Sequence, residues 1–149
     1  MEAIARTRAL GVDLGARRIG LAVSDPDRVI ASPHSVIRRG KDHRADHRAI
    51  VEAAHDAGAS TIVVGLPLSL SGRTGPAARA ALAEIDELRA AAASRLDVVV
   101  HDERLTTVTA ERALQQARVT KSAQRDVVDK VAAAVMLQSW LDAGGRAPR

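Results

Sequence analysis

Three carboxylates stand in apolar surroundings. Asp13 interrupts Leu10-Gly11-Val12-Asp13-Leu14-Gly15, Glu103 closes Val98-Val99-Val100-His101-Asp102-Glu103, and Asp129 precedes the almost wholly apolar run from Val131 to Leu137. A bare carboxylate is costly to bury, and proteins keep one inside mainly when it is paired or binds a metal. Taken singly, Asp13 reads as a turn residue, Glu103 as a solvated acid and Asp129 as the start of a helix. Taken together, three acids from distant parts of one chain point to a divalent-cation site. Oxygen ligands without His or Cys select Mg²⁺ or Mn²⁺ over zinc. Two such ions roughly 4 Å apart can activate a water and stabilise the leaving oxygen of a phosphodiester.

Other residues near these acids have two readings each. Asp126 precedes Asp129 by three positions on the same helical face, within reach of the metals or simply favouring the helix dipole. Arg104 and Thr107 sit beside Glu103 and can hold a phosphate, although Thr107 is equally a helix cap. Arg17, Arg18, Arg73, Lys121 and Arg125 fall on loops or element ends and are candidates for phosphate contact. His43 and His47 have the i,i+4 spacing of a metal pair, but the Glu of the zinc-protease motif is missing and a fully polar helix face explains them better. His101 opens the acidic motif and could shuttle a proton.

Composition narrows the field. The 149 residues (15.7 kDa) suffice for one domain with a real core, and Trp140 is the only aromatic residue, so that core is built from Ala, Val, Leu and Ile. Cysteine is absent, which removes disulfides, thiolate metal sites and cysteine nucleophiles. The segment from Met1 to Arg8 holds no apolar stretch of signal-peptide length, and no run approaches the roughly 20 apolar residues of a membrane span. The expected address is the cytoplasm. The formal charge is +4 and the pI about 10.6, carried almost entirely by arginine. A basic surface around an acidic site suits a polyanion such as nucleic acid, while plain solubility charge is the alternative.

The elements that must position these residues follow from periodicity. Residues 8–14 and 18–24 read as strands joined by Gly15 to Arg18, with Gly15 suited to a positive φ. Ser24 to Asp27 is a second turn and Val29 to Ile37 a third strand, which makes an antiparallel meander. Lys41 to Ala57 predicts a helix with Ala45, Ala49, Ile50, Ala53, Ala54 and Ala57 inward, ended by Gly58. Thr61 to Val64 is a buried strand, Gly65 to Gly75 a loop, and Pro76 opens a helix with Ala78, Ala81, Leu82, Ile85, Leu88 and Ala92 inward. Val98 to His101 is a fifth strand. A third helix runs from Thr106 or Thr107 to about Ala117, Arg118 to Gln124 is a basic loop, and Arg125 to Ala143 is the last helix. The order βββαβαβαα predicts one α/β domain, its core at about 8–143, with a mixed five-stranded sheet and helices on both faces. If strands one, four and five are neighbours, the acids gather at one carboxyl rim. Crowded there, they repel one another, so Asp129→Asn is expected to raise the melting temperature of the metal-free protein.

Four motifs carry a family resemblance: Gly11-Val12-Asp13-Leu14-Gly15, Gly65-Leu66-Pro67-Leu68, Asp102-Glu103-Arg104-Leu105-Thr106-Thr107 and Val128-Asp129-Lys130-Val131-Ala132-Ala133. Their order resembles the YqgF/RuvX family, over a span from about Ala9 to Leu141. The resemblance implies a ribonuclease H-like fold and an Mg²⁺- or Mn²⁺-dependent endonuclease that trims the 5′ end of pre-16S rRNA. It also implies, as the alternative, a Holliday junction resolvase acting on branched DNA. The family's acidic triad maps onto Asp13, Glu103 and Asp129, with Asp102 as an adjoining acid. The implied partner is structured RNA or branched DNA. A monomer suffices to trim an RNA end, whereas symmetric junction cleavage calls for a homodimer.

Two rivals remain. An Asp-x-Gly on a first strand also occurs in actin-like ATPases, but those need a second lobe. A binding module with decorative acids is the other, and the scarcity of aromatic residues counts against one that stacks bases.

Overall fold

A computed structural model describes residues 7–66, 75–102 and 122–145. Its elements are β1 (Arg8–Leu14), β2 (Arg18–Ser24), β3 (Ala31–Arg38), α1 (His43–Asp56), β4 (Ala59–Leu66), α2 (Pro76–Ala92), β5 (Asp97–Asp102) and α3 (Ser122–Trp140), followed by a wider turn over Leu141–Gly145. The helix expected to begin at Thr106 or Thr107 and most of the loop after β4 lie outside the described residues.

The five strands lie in the order β3-β2-β1-β4-β5. β1, β2 and β3 form the antiparallel meander, while β4 runs parallel to both β1 and β5. Strands one, four and five are therefore neighbours, and their carboxyl ends are level: Val12 pairs with Val64, and Val64 with Val100.

Alternation along the strands divides the interior into two unlike halves. Leu10, Val12, Ile19, Leu21, Ile62 and Val64 pack with Ile50 of α1 and Ile85 and Leu88 of α2. The opposite face presents Ala9, Ala22 and Val63 to Ala133, Met136 and Leu137 of α3. Small residues let this helix lie close, and a Cβ built on Gly11 would come within 2.8 Å of the Leu137 Cβ.

Several local expectations are met. Asp42 caps α1 by accepting the Arg44 amide at 2.9 Å. Gly58 takes φ +71° just beyond α1. Pro76 stands in the first turn of α2, where its missing N–H costs nothing. No helix among the described residues is long and apolar enough to cross a membrane.

Others are corrected. β3 begins at Ala31, not Val29, because the Asp25 carboxylate accepts the amides of Val29 and Ile30, each at 2.8 Å, and holds them in the turn. Gly15 is not among the residues with positive φ; the hairpin closes through its N–H, which donates to the Arg18 carbonyl at 3.0 Å. The inward residues of α1 are Asp46, His47, Ile50 and Ala54, with Ala45 exposed, so the helix is rotated from its alanine-rich stripe. On α2, Leu82 faces outward.

Candidate active site at the carboxyl rim

Asp13 is the penultimate residue of β1 and only 4% exposed; Asp129, on α3, is 1% exposed. Glycine brings them together. Asp13 pairs with Gly20 across β1 and β2, so both point to the same face of the sheet. A Cβ built on Gly20 would lie 2.2 Å from the Asp129 carbonyl oxygen and 2.7 Å from its carbonyl carbon. The backbone of α3 is thus seated directly on β2 beside Asp13. Any side chain at position 20 would hold it off.

Alternating charge surrounds Asp129. Arg18, two residues before Gly20 and on the same face, donates its Nε to Asp129 Oδ2 at 2.5 Å. The same Nε is 3.6 Å from Asp126 Oδ1. Arg38, the partner of Arg18 across β2 and β3, donates to Asp126 Oδ2 at 2.9 Å. Asp126 Oδ1 is buried without a hydrogen-bond partner among the described residues. Arg18, a candidate phosphate contact, is thus held against a candidate metal ligand.

At the end of β5 the residues divide between faces. His101 is buried against α3, its Nε2 3.0 Å from Ser139 Oγ. Burial holds its imidazole below the ordinary value, with Asp102 acting in the opposite sense, so the neutral ring serves as a tie between β5 and α3. Asp102 follows and alternates to the α1 and α2 side, away from the face shared by Asp13 and Asp129. Arg17, in the hairpin turn, and Arg125, in the first turns of α3, are exposed. Arg73, Glu103, Arg104, Thr107 and Lys121 lie outside the described residues.

Among the described residues no three acids or histidines stand close enough to form a metal cluster. The two described members of the expected triad nonetheless fit a hard cation: both are buried carboxylates and both are on one face.

Sequence reasoning missed a buried ionic brace beneath the hairpin. Arg39 donates both terminal nitrogens to Glu84 of α2, at 2.6 and 2.9 Å. Its Nε donates to the Gly15 carbonyl at 2.7 Å, and its backbone N–H to the Arg17 carbonyl at 2.9 Å. His47 Nε2 lies 2.8 Å from the same Glu84 carboxylate, and the residue is 2% exposed, so it does not belong to a solvated polar face. Burial would raise the Glu84 pKa, but the hydrogen bonds and charges of Arg39 and His47 outweigh it and hold the carboxyl below its usual range. Glu84 also keeps the Arg39 guanidinium above its ordinary value. The one clue was an acid set directly before the inward Ile85 of α2.

Arg28 was missed without any such clue. It adopts φ +58°, is buried, and donates to the Thr7 carbonyl and Thr61 Oγ1, each at 2.9 Å, and to Ser60 Oγ at 3.1 Å. It fastens the β2–β3 loop to the start of β4, at the opposite end of the sheet from the rim.

This fold and these residues have counterparts in known proteins. A sequence model of the RuvX family, described as Holliday junction resolvase, matches residues 7–143. A protein of Mycobacterium sp. (strain KMS), named "Putative pre-16S rRNA nuclease", is 44% identical over 137 residues, which span 92% of this chain and 80% of that one. One of the same name from Mycobacterium tuberculosis (strain CDC 1551 / Oshkosh) is 46% identical over 138 residues, 92% of this chain and 79% of its own. The structure of T. thermophilus RuvC in complex with a Holliday junction substrate superposes with a TM-score of 0.56 at 17% identity, covering 93% of this chain and 96% of that one. That likeness is one of fold. With the family's sequence pattern running from the first strand to the last helix, and the sheet order and seated α3 of a ribonuclease H-like domain beneath it, the chain belongs to the RuvX family.

Proposed function

We propose that the protein is a metal-dependent endonuclease that hydrolyses phosphodiester bonds in pre-16S rRNA, near its 5′ end, in the cytoplasm. A hydrolytic nuclease is what membership of this family entails. The observation that carries the metal reading is the pair of buried carboxylates, Asp13 and Asp129, set on one face at the level carboxyl ends of β1, β4 and β5. Glu103, directly after β5, is the proposed third member. Bound Mg²⁺ or Mn²⁺, two ions in the full site, would supply an activated water and charge stabilisation of the leaving oxygen. The chain's own part is to hold those carboxylates rigidly, with Asp126 and Asp102 as outlying acids. Exposed Arg17 and Arg125, together with Arg73, Arg104, Thr107 and Lys121, are the proposed phosphate contacts.

The choice of RNA rests on the names of relatives 44–46% identical to this chain. The family description supports a second reading, cleavage of a four-way DNA junction by a homodimer. Incubation of the protein with a pre-16S leader RNA and with a junction DNA, each with Mg²⁺, Mn²⁺ or EDTA, separates the readings. The expected result is metal-dependent cleavage of the RNA, lost in Asp13→Asn, Glu103→Gln and Asp129→Asn. Full activity in EDTA would remove the metal reading. Paired, symmetric cuts in the junction by a species of twice the monomer mass would replace the RNA reading with the second one.

A further inference from the structure

A guanidinium and a divalent cation compete for one oxygen at the rim. Arg18 donates its Nε to Asp129 Oδ2 at 2.5 Å, a direct charge-assisted hydrogen bond. Mg²⁺ needs carboxylate oxygens at about 2.0–2.1 Å in near-octahedral array, and a divalent ion at that distance repels a guanidinium held on the same oxygen. Asp129 is buried, so its carboxylate requires a counter-charge whether or not a metal is bound.

The structure also holds a second seat for the arginine. Asp126 Oδ1 is buried, has no hydrogen-bond partner among the described residues, and is 3.6 Å from the same Nε. Asp126 is anchored through its other oxygen by Arg38, at 2.9 Å, so it stays in place to receive a second donor. A shift of the Arg18 side chain of about an ångström turns that 3.6 Å approach into a hydrogen bond of ordinary length. An orphaned buried acceptor within such reach of a donor is otherwise a standing cost.

We propose that Arg18 is a displaceable internal cation: it neutralises Asp129 in the metal-free protein and passes to Asp126 when a divalent ion takes Asp129 Oδ2. Arg18 is a positioning residue in this scheme, acting on the metal through Asp129, and Asp126 is its receiver and not a metal ligand. The scheme rests on the reading of Asp129 as a metal ligand. It adds that metal affinity is set by a contest within the chain. The contest keeps the two acids from repelling each other before loading, and on loading it leaves a guanidinium at the rim beside the metal.

Titration calorimetry with Mn²⁺ alone, without substrate, tests it. Arg18→Gln should bind Mn²⁺ about tenfold more tightly than wild type, the factor corresponding to release of one charge-assisted hydrogen bond. Asp126→Asn should bind it more weakly, because the seat for the displaced arginine loses its charge, and most of that loss should vanish in the Arg18→Gln background. An equal loss in both backgrounds would make Asp126 a ligand and overturn the scheme. Unchanged or weaker binding by Arg18→Gln, with Asp129→Asn still impaired, would overturn it while leaving the metal reading intact. Undiminished binding by Asp129→Asn would instead remove the reading beneath it. Should Arg18→Gln fail to fold, the Arg18 Nε–H resonance of the wild type decides: it should move with Mg²⁺ at the midpoint of binding, and a resonance that stays put through saturation overturns the proposal.

Discussion

The Asp129 carbonyl oxygen lies 2.2 Å from the point where a Cβ of Gly20 would stand, closer than any non-bonded contact allows. The obstacle is helix backbone, so a side chain at position 20 cannot be absorbed by a rotamer change. Gly20→Ala should therefore lift α3 and cost about 1–3 kcal/mol, the usual range for overpacking. Because Asp129 travels with the helix, Mn²⁺ affinity should fall in the same variant. A urea midpoint equal to wild type would show that α3 does not rest on Gly20.

Asp129→Asn should lower the melting temperature of the metal-free protein, contrary to what the crowding of three acids predicts. The carboxylate neutralises Arg18, whose side chain is itself largely buried, and its removal leaves that charge with only the longer approach to Asp126, at 3.6 Å. An amide oxygen still accepts the hydrogen bond, so the cost should be about 1–3 kcal/mol. Thermal melts in EDTA check this. A rise in Tm would mean that repulsion among the acids outweighs the Arg18 pair.

The brace around Glu84 makes an acid-sensitive contribution. Its carboxyl lies below the ordinary value in the folded protein, so the unfolded chain takes up the proton first as pH falls. The stabilisation is fully present above the ordinary glutamate pKa and is lost as pH drops through the lower, folded-state one. Glu84→Gln should cost about 3 kcal/mol near neutrality, since it leaves Arg39 with only the longer contact to Asp46, at 3.7 Å, as a buried counter-charge. It should also flatten the fall of stability between pH 5 and 3. Denaturant titrations across that range, with parallel slopes for variant and wild type, would contradict the assignment.

Nucleic-acid affinity should respond to Arg17 and Arg125, both exposed near the rim. Each replacement by Ala should weaken binding to all sequences alike and reduce the log–log salt slope by about 0.9 on duplex or 0.7 on single strands. Fluorescence anisotropy at several salt concentrations measures both quantities. Unaltered slopes in the double variant would move the bound strand to another surface.

The fold was legible in the sequence because its signals are local. Alternation marks β1 and β2, Gly58 and Pro76 punctuate the helices, and the chain order dictates which strands run parallel. Asp13 and Asp129 were legible for a related reason: an acid among apolar residues is conspicuous. What could not be read is which partner a charge finds across the fold. Arg18 and Asp129 are 111 positions apart, and Arg39 and Glu84 are 45 apart. Nothing local distinguishes a paired arginine from a solvated one. The rotation of α1 has the same cause, since Asp46 and His47 turn inward toward Gly40, Arg39 and Glu84 at the expense of Ala45.

Trp140 is the one chromophore of its kind in the chain, and its position decides what light can report. It closes α3 eleven residues after Asp129, about 16 Å away along the helix axis. The guanidinium carbon of Arg28 stands 5.9 Å from its ring centroid. Intrinsic emission is thus an optical gauge of the clasp formed by Arg28, the β2–β3 loop and the end of α3, blind to events confined to the rim. A change in that emission when metal or nucleic acid is added would mean that α3 moves as a rigid lever from Gly20 to its far end. A silent titration would confine the response to the side chains around Asp129.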